Sequence, residues 1–272
     1  MAQPVLLKLS PAEWILSVMT VQPDADATLA EAVNAGMTPE RLQGALQAAR
    51  DGLLARDLAR LDSAGKLEIN PVVRMCARTV LDPQVSFGLT QIEPDGTSRV
   101  VFFNSVPGFD ISTWVDANQI RAFELIDDAR KIPERIIAHS GASDAAGAVP
   151  PVVKSFAINA TALPALPVDR SQKVDGLSAV LAKGGMPTAE AAALERAFAS
   201  PNRRAVLAGA NRVASGQGAT NVQTLMWMAD TDRTWIMTQT AGATAITVSS
   251  ANAAGLMQMV TVFVNGLLAN MK

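Results

Sequence analysis

The sequence predicts an α+β fold in which two related helix–antiparallel-sheet–helix units, arranged as pseudo-two-fold duplicates, form a central sheet flanked by helical bundles. Three observations carry that expectation. Apolar residues recur at three- and four-residue steps as far as Leu81 and alternate with a period of two beyond Pro83. The same order of helix, proline, strands and helix returns 118 residues further on. The composition is globular: 272 residues at 49% apolar and 18% charged suffice to bury the core of one large domain or of two halves.

Taken in order, Ser10-Pro11-Ala12-Glu13 supplies an N-cap, a proline suited to the first helical turn and the far half of a capping box, so a short helix runs to about Met19. A longer helix begins near Thr38-Pro39-Glu40 with Leu42, Leu46, Ala49, Leu53, Leu54 and Leu58 on one face, and ends near Asp62. Gly65 to Ile69 reads as a turn and short strand. Asn70-Pro71 caps a further helix whose apolar set includes Val73, Cys76 and Val80. Val85, Phe87 and Leu89 then alternate, Glu93-Pro94-Asp95-Gly96 turns the chain, and Val100 to Phe103 returns as a strand. Pro107-Gly108 makes the next turn. Ile111 to Val115 and Ile120 to Leu125 form two more strands about Asp116-Ala117-Asn118, and Asp127 or Asp128 caps a closing helix that reaches His139 and is either kinked by Pro133 or limited to its second part.

The second half follows the same plan. Val174 to Leu181 and Thr188 to Phe198 read as helices, Arg203 to Arg212 alternates loosely, and Asn221 to Ala229, Thr234 to Gln239 and Ala243 to Val248 read as strands. Ser249 or Ser250 caps a final uncharged helix. Overlaid at the 118-residue offset, Arg78, Pro83 and Leu89 fall on Arg196, Pro201 and Leu207. Residues 1–140 thus form the first repeat and 173–272 the second. Residues 141–172, rich in Gly, Ala, Ser and Pro, read as a linker between them.

Several function classes are disfavoured by what the chain lacks. One cysteine (Cys76) and one histidine (His139) permit neither a disulfide framework nor a multi-Cys/His metal site, and no tyrosine is present. No phosphate-binding Gly-x4-Gly-Lys loop and no Gly-x-Ser-x-Gly elbow occurs, and Gly216-Gln217-Gly218 lacks a third glycine. No metal, cofactor or catalytic residue is implied. His139 adjoins the linker, where Asp144 is a poorly held partner for a proton relay. The pair Asp127-Asp128 diverges, and Asp57 and Asp62 read as solubilising. The net charge of −2 conceals an asymmetry, because residues 1–150 carry −6 and residues 151–272 carry +4. The run Arg196, Arg203, Arg204, Arg212 has no interleaved aromatics, so nucleic acid is not an expected partner and a solvated or acid-facing surface is.

Apolar candidates remain. Met226 and Met228 lie on a strand whose two faces are both large and hydrophobic, and Trp235 and Met237 lie on the strand that pairs with it. One face meets the core. The other is covered by a helix, by the sister repeat or by a partner, and methionine-rich faces suit adaptable binding. From Thr234 to Met271 no residue is charged, which adds Met257 and Phe263 of the last helix to the partner-binding set. Gln258, Thr261, Asn265 and Asn270 are spread along that helix, so a buried helix is expected in preference to a membrane span. The first ten residues lack a signal-peptide core, so the chain is expected to be cytoplasmic.

The order of elements resembles a known family. The Leu9-Ser10-Pro11-Ala12-Glu13-Trp14 helix start, the helix ending in Leu53-Leu54-Ala55-Arg56-Asp57-Leu58, the Gly65-Lys66-Leu67-Glu68-Ile69-Asn70-Pro71 element and the second copy with its apolar final helix are similar to the EspG family, the ESX (type VII) secretion-associated chaperones. The resemblance implies an EspG-like α+β body and a non-enzymatic role: binding the hydrophobic tip of a PPE subunit in a PE–PPE heterodimer, keeping that cargo soluble and assisting its delivery. It implies a cargo surface on the central sheet and the C-terminal helical part. The expected function is therefore a non-catalytic binding protein holding a helical cargo, PE/PPE-like if the resemblance extends to partners. The alternatives are a homodimeric scaffold that self-associates through the same face, and a small-molecule enzyme using His139 or carboxylates.

Overall fold

The computed structural model describes residues 6–22, 38–142, 152–159, 176–199, 203–211, 223–230, 233–240 and 244–269. In chain order the first elements are β1 (Leu6–Leu9), α1 (Pro11–Val21), α2 (Pro39–Ala55), β2 (Ala59–Leu61), β3 (Leu67–Ile69), α3 (Pro71–Leu81), β4 (Val85–Ile92), β5 (Ser98–Val106), β6 (Phe109–Val115) and β7 (Arg121–Ile126). A 3-10 turn, Ala129–Lys131, leads into α4 (Ile132–Ser140). Then come β8 (Val152–Asn159), α5 (Leu177–Lys183), α6 (Thr188–Ala199), β9 (Arg204–Asn211), β10 (Gln223–Ala229), β11 (Thr234–Thr240), β12 (Ala245–Ala251) and α7 (Ala253–Leu268). Ten strands belong to one sheet in the order β1-β7-β6-β5-β4-β9-β10-β11-β12-β8, and β2 pairs with β3 in a separate hairpin. The α+β class expected from the change of period is the class observed.

Two compact units divide the chain: Met1–Gln84 with Asn104–Asp127, and Val85–Phe103 with Asp128–Lys272. In the first, α1, α2 and α3 pack on one face of β1, β6 and β7 through Leu9, Leu53, Ile69, Val73, Cys76, Ile111 and Phe123. The capping box at Ser10 and Glu13 forms as expected. Glu13 does more than cap: Arg56, at the end of α2, meets its Oε1 at 2.6 Å and also donates to the Lys8 carbonyl at 2.9 Å. One carboxylate thus ties the start of α1 to the end of α2 and to β1. Helix α2 stops at Ala55, short of the expected Asp62, because Asp57 takes a left-handed backbone (φ 56°) and 59–61 pair with 67–69. Asp62 is not merely solubilising: its Oδ1 accepts from the N–H groups of Ala64 and Lys66 at 2.9 and 2.8 Å and closes that hairpin.

In the second unit, strands β9 to β12 form an antiparallel meander. Asp128, not Asp127, caps the 3-10 turn, and Pro133 sits harmlessly in the first turn of α4. Strand β12 runs on to Ala251, so Ser249 and Ser250 are buried strand residues, and Asn252 caps α7 by accepting from Gly255 N–H at 2.9 Å. The expected helix from Val174 is described from Leu177. Much of the expected linker 141–172 lies outside the described residues, but Val152–Asn159 within it is strand β8, paired with β12. Two-residue alternation explains this: Ile158 is buried and Phe156 half-buried, while Ser155 and Ala157 are exposed.

At the middle of the sheet, strand β4 pairs antiparallel with β9 so that Leu89 faces Leu207, its counterpart at the 118-residue offset.

Candidate partner-binding surfaces of the second unit

Alternation along β10 and β11 separates two sets of large apolar side chains. Met226 pairs with Met237 and Met228 with Trp235, which puts all four on one face. That face is not a surface. Met226, Met228, Trp235 and Met237 are buried against Leu177 and Leu181 of α5, Met186, and Leu194 and Phe198 of α6, together with Ile158 and Val248. Four of the six sequence-derived partner-binding residues are therefore internal core, because two short helices cover the strand face that the sequence left open to helix or partner. Arg233 lies 5.5 Å above the Trp235 ring and pairs with Glu190 of α6 at 2.9 Å, closing the edge of this layer.

The opposite face carries Leu207, Leu225, Trp227 and Ile236, all buried, and α7 packs against it with Leu256, Val260, Val264 and Leu267 inward. Gly209 is what lets α7 approach β9. A Cβ there would stand 2.4 Å from Leu267 Cδ1 and 3.0 Å from both Phe263 Cε1 and Phe87 Cδ1. Phe263, from the sequence-derived set, packs its ring 6.3 Å from that of Phe87 and stays half-buried, as does Met257. Beside α7 a groove of about 520 Å³ opens, with Leu225, Met259, Val262 and Phe263 among its apolar lining. Gln223, Gln239 and Gln258 supply amides, Thr238, Ser249 and Ser155 supply hydroxyls, and among the described residues no charged one lines it. Val262, 67% exposed, stands at its rim.

A second surface lies on the other side of the sheet, where β5, β4 and β9 run side by side. Val101 and Phe103 of β5 and Phe87 and Leu89 of β4 are buried. The alternate residues are not. Val100 is 40% and Phe102 46% exposed, Ser86, Gly88 and Thr90 are half-buried, and Ala208 is exposed. Gly88 pairs with Ala208, and Phe102 lies over Gly88, whose absent Cβ would be 3.5 Å from the Phe102 ring. The result is a flat floor of small residues with an exposed aromatic above it. Sequence reasoning passed over this patch because Val100 to Phe103 reads as an uninterrupted apolar run. The missed signal was Gly88 and Ala208, small residues that face each other across the β4–β9 pairing.

The remaining candidates take structural roles. His139 sits half-buried in the last turn of α4 with its ring edge-on to Phe103, centroids 5.7 Å apart, and lines neither surface. Among the described residues no group of three or more His, Cys, Asp or Glu could hold a metal ion. Cys76 is fully buried, and that burial pushes its thiol up to about 12. The arginine run is partly structural: Arg203 pairs with Glu93 at 3.0 Å and donates to the Gly141 carbonyl at 2.6 Å, and buried Arg204 donates to the Phe198 carbonyl at 2.5 Å. Arg196 is exposed, and Arg212 lies outside the described residues. No helix among the described residues is long and apolar enough to cross a membrane.

No protein-family model matches this chain, and no curated protein does. Solved structures do match. One is the type VII secretion system chaperone EspG5 of Mycobacterium tuberculosis, solved in complex with the PE25-PPE41 dimer. The likeness covers 98% of this chain and 97% of that one, with a TM-score of 0.62 and 11% sequence identity, and so what the two chains share is a fold.

Proposed function

We propose that this chain is a non-catalytic binding protein of chaperone type, which holds a helical protein cargo on the open face of β5, β4 and β9. The carrying observation is the exposure of Val100 and Phe102 above Gly88 and Ala208. A helix can approach a sheet closely where the floor has small side chains, and an exposed aromatic at the centre of such a floor is the usual anchor of an interface. The likeness to a chaperone solved on its PE-PPE dimer supports a cargo of that kind, a role in type VII secretion and a cytoplasmic site of action. The scarcity of histidine and cysteine supports binding over catalysis.

The test is co-expression with candidate PE–PPE pairs from the source organism, followed by light scattering. A stoichiometric complex is expected with the native chain and not with Phe102→Asp, whose melting temperature should match the parent because the side chain is half exposed. A monomer that captures none of them defeats the reading. A self-dimer that Phe102→Asp dissolves replaces it with the scaffold reading.

A further inference from the structure

The sheet has two edges, and they differ. Edge strand β1 has four residues, and the Arg56 guanidinium donates to its Lys8 carbonyl at 2.9 Å. Short length and an occupied carbonyl are both ordinary defences against unwanted strand pairing. Edge strand β8 has eight residues with one charge, Lys154, and no proline within it. It pairs with β12 from Ala245↔Asn159 to Ala251↔Val152 along one side. Among the described residues no strand pairs along its other side.

The side chains next to this edge point to the kind of occupant. Ser155 and Ala157 face outward on the side of the sheet covered by α7, and Ser155 lines the uncharged groove beside that helix. Both are small, so they leave the mouth of the groove open. A strand laid along β8 would send every second side chain to that face, towards the groove lined by Gln258, Val262 and Phe263 of α7. We propose that β8 and this groove form one site for an extended segment of a partner protein, which adds as a further strand and places alternate uncharged side chains in the groove. Main-chain hydrogen bonds to β8 would supply affinity, and the groove would supply selectivity. A charged side chain would be rejected, since the described lining offers amides and hydroxyls but no counter-ion. This site is on the opposite face from Phe102 and does not depend on the cargo reading.

The experiment uses the whole chain and synthetic peptides of about eight residues, a typical strand length. In one set Leu or Gln alternates with Thr, and in a matched set Lys or Glu replaces the Leu or Gln. Binding is read by fluorescence anisotropy and by hydrogen exchange of residues 152–159. The neutral peptides should bind and protect those amides. The charged set should bind about tenfold or more weakly, the effect of about 1.4 kcal/mol. Ser155→Lys, which places a charge at an exposed edge position, should abolish binding without lowering the melting temperature, and Phe102→Asp should not affect it. Neutral and charged peptides binding alike, or none protecting 152–159, overturns the proposal. So does concentration-dependent protection of 152–159 without peptide, which would make the occupant a second copy of this chain.

Discussion

The packing of α7 against β9 can be tested at Gly209. Replacing it with Ala adds one carbon that would stand 2.4 Å from Leu267 Cδ1 and 3.0 Å from carbons of Phe263 and Phe87. Carbon atoms rest at about 3.5–4.0 Å, so the Leu267 methyl must retreat by more than about 1 Å. Leu267 is fully buried and has little space to retreat into. Overpacking of this kind costs about 1–3 kcal/mol, offset by about 0.5–1 kcal/mol because Ala restricts the unfolded chain more than Gly does. The expected net loss is about 1–2 kcal/mol, or about 2–8 °C in melting temperature for a chain of this size. Leu267→Ala alone should cost about 2–5 kcal/mol by leaving a cavity. The double variant should be more stable than the sum of the two by about 1 kcal/mol, since the new methyl occupies part of that cavity. Urea denaturation of the four proteins measures all three quantities. A Gly209→Ala variant as stable as the parent, or strictly additive effects, would refute the account of how α7 is seated.

Three further outcomes follow from features of both units. Gly141, left-handed at φ 59°, has Arg203 Nη1 where a Cβ would stand; Gly141→Ala should destabilise by about 1–3 kcal/mol, and Arg203→Ala in the double variant should remove the steric part while leaving about 1 kcal/mol for the left-handed alanine. Cys76, with its thiol pushed up to about 12 by burial, should resist thiol reagents at pH 8 in the folded protein and react fully in denaturant; rapid labelling of the folded chain would contradict its position. Asp128 is held down from 3.8 to about 2 chiefly by its hydrogen bonds from Arg130, so its stabilising contribution is complete above pH 3.8 and lost as pH falls through 2. An NMR titration should show that low value and its rise towards 3.8 in Arg130→Ala; because the group is exposed, global stability should change little in the same variant.

Elements announced by local chemistry were legible in the sequence. Ser10 and Glu13, Asn70 with Pro71, and the turn at Asp116 each satisfy backbone groups within four residues of themselves, so they can be read without knowing the fold. Strands β1 and β8 were not. Each exists because a distant strand pairs with it, Leu7 with Phe123 and Ala157 with Thr247, and the local mark of β8, Phe156 and Ile158 alternating with Ser155 and Ala157, is short and set in a Gly-, Ala-, Ser- and Pro-rich stretch. The same limit governs the binding surface. The apolar alternation at Met226 to Met237 was read correctly as a strand pair with two hydrophobic faces, but both faces are covered, one by α5 and α6 and the other by α7. Helix landing sites are set by side chains far apart in sequence, such as Gly209 with Leu267. The exposed patch at Phe102 is therefore visible only once the helices are in place.

On either side of the Leu89–Leu207 pair, Phe87 faces Gly209 and Gln91 faces Ala205, two pairs alike in backbone and unlike in side chain. The first sets a large ring beside a residue with no side chain at all, and Phe263 and Leu267 of α7 occupy the space that a Cβ on Gly209 would take. One missing side chain thus acts as a keyhole: it marks the point on β9 where a helix can come to rest, and gives the two ends of a regular strand pairing different neighbours.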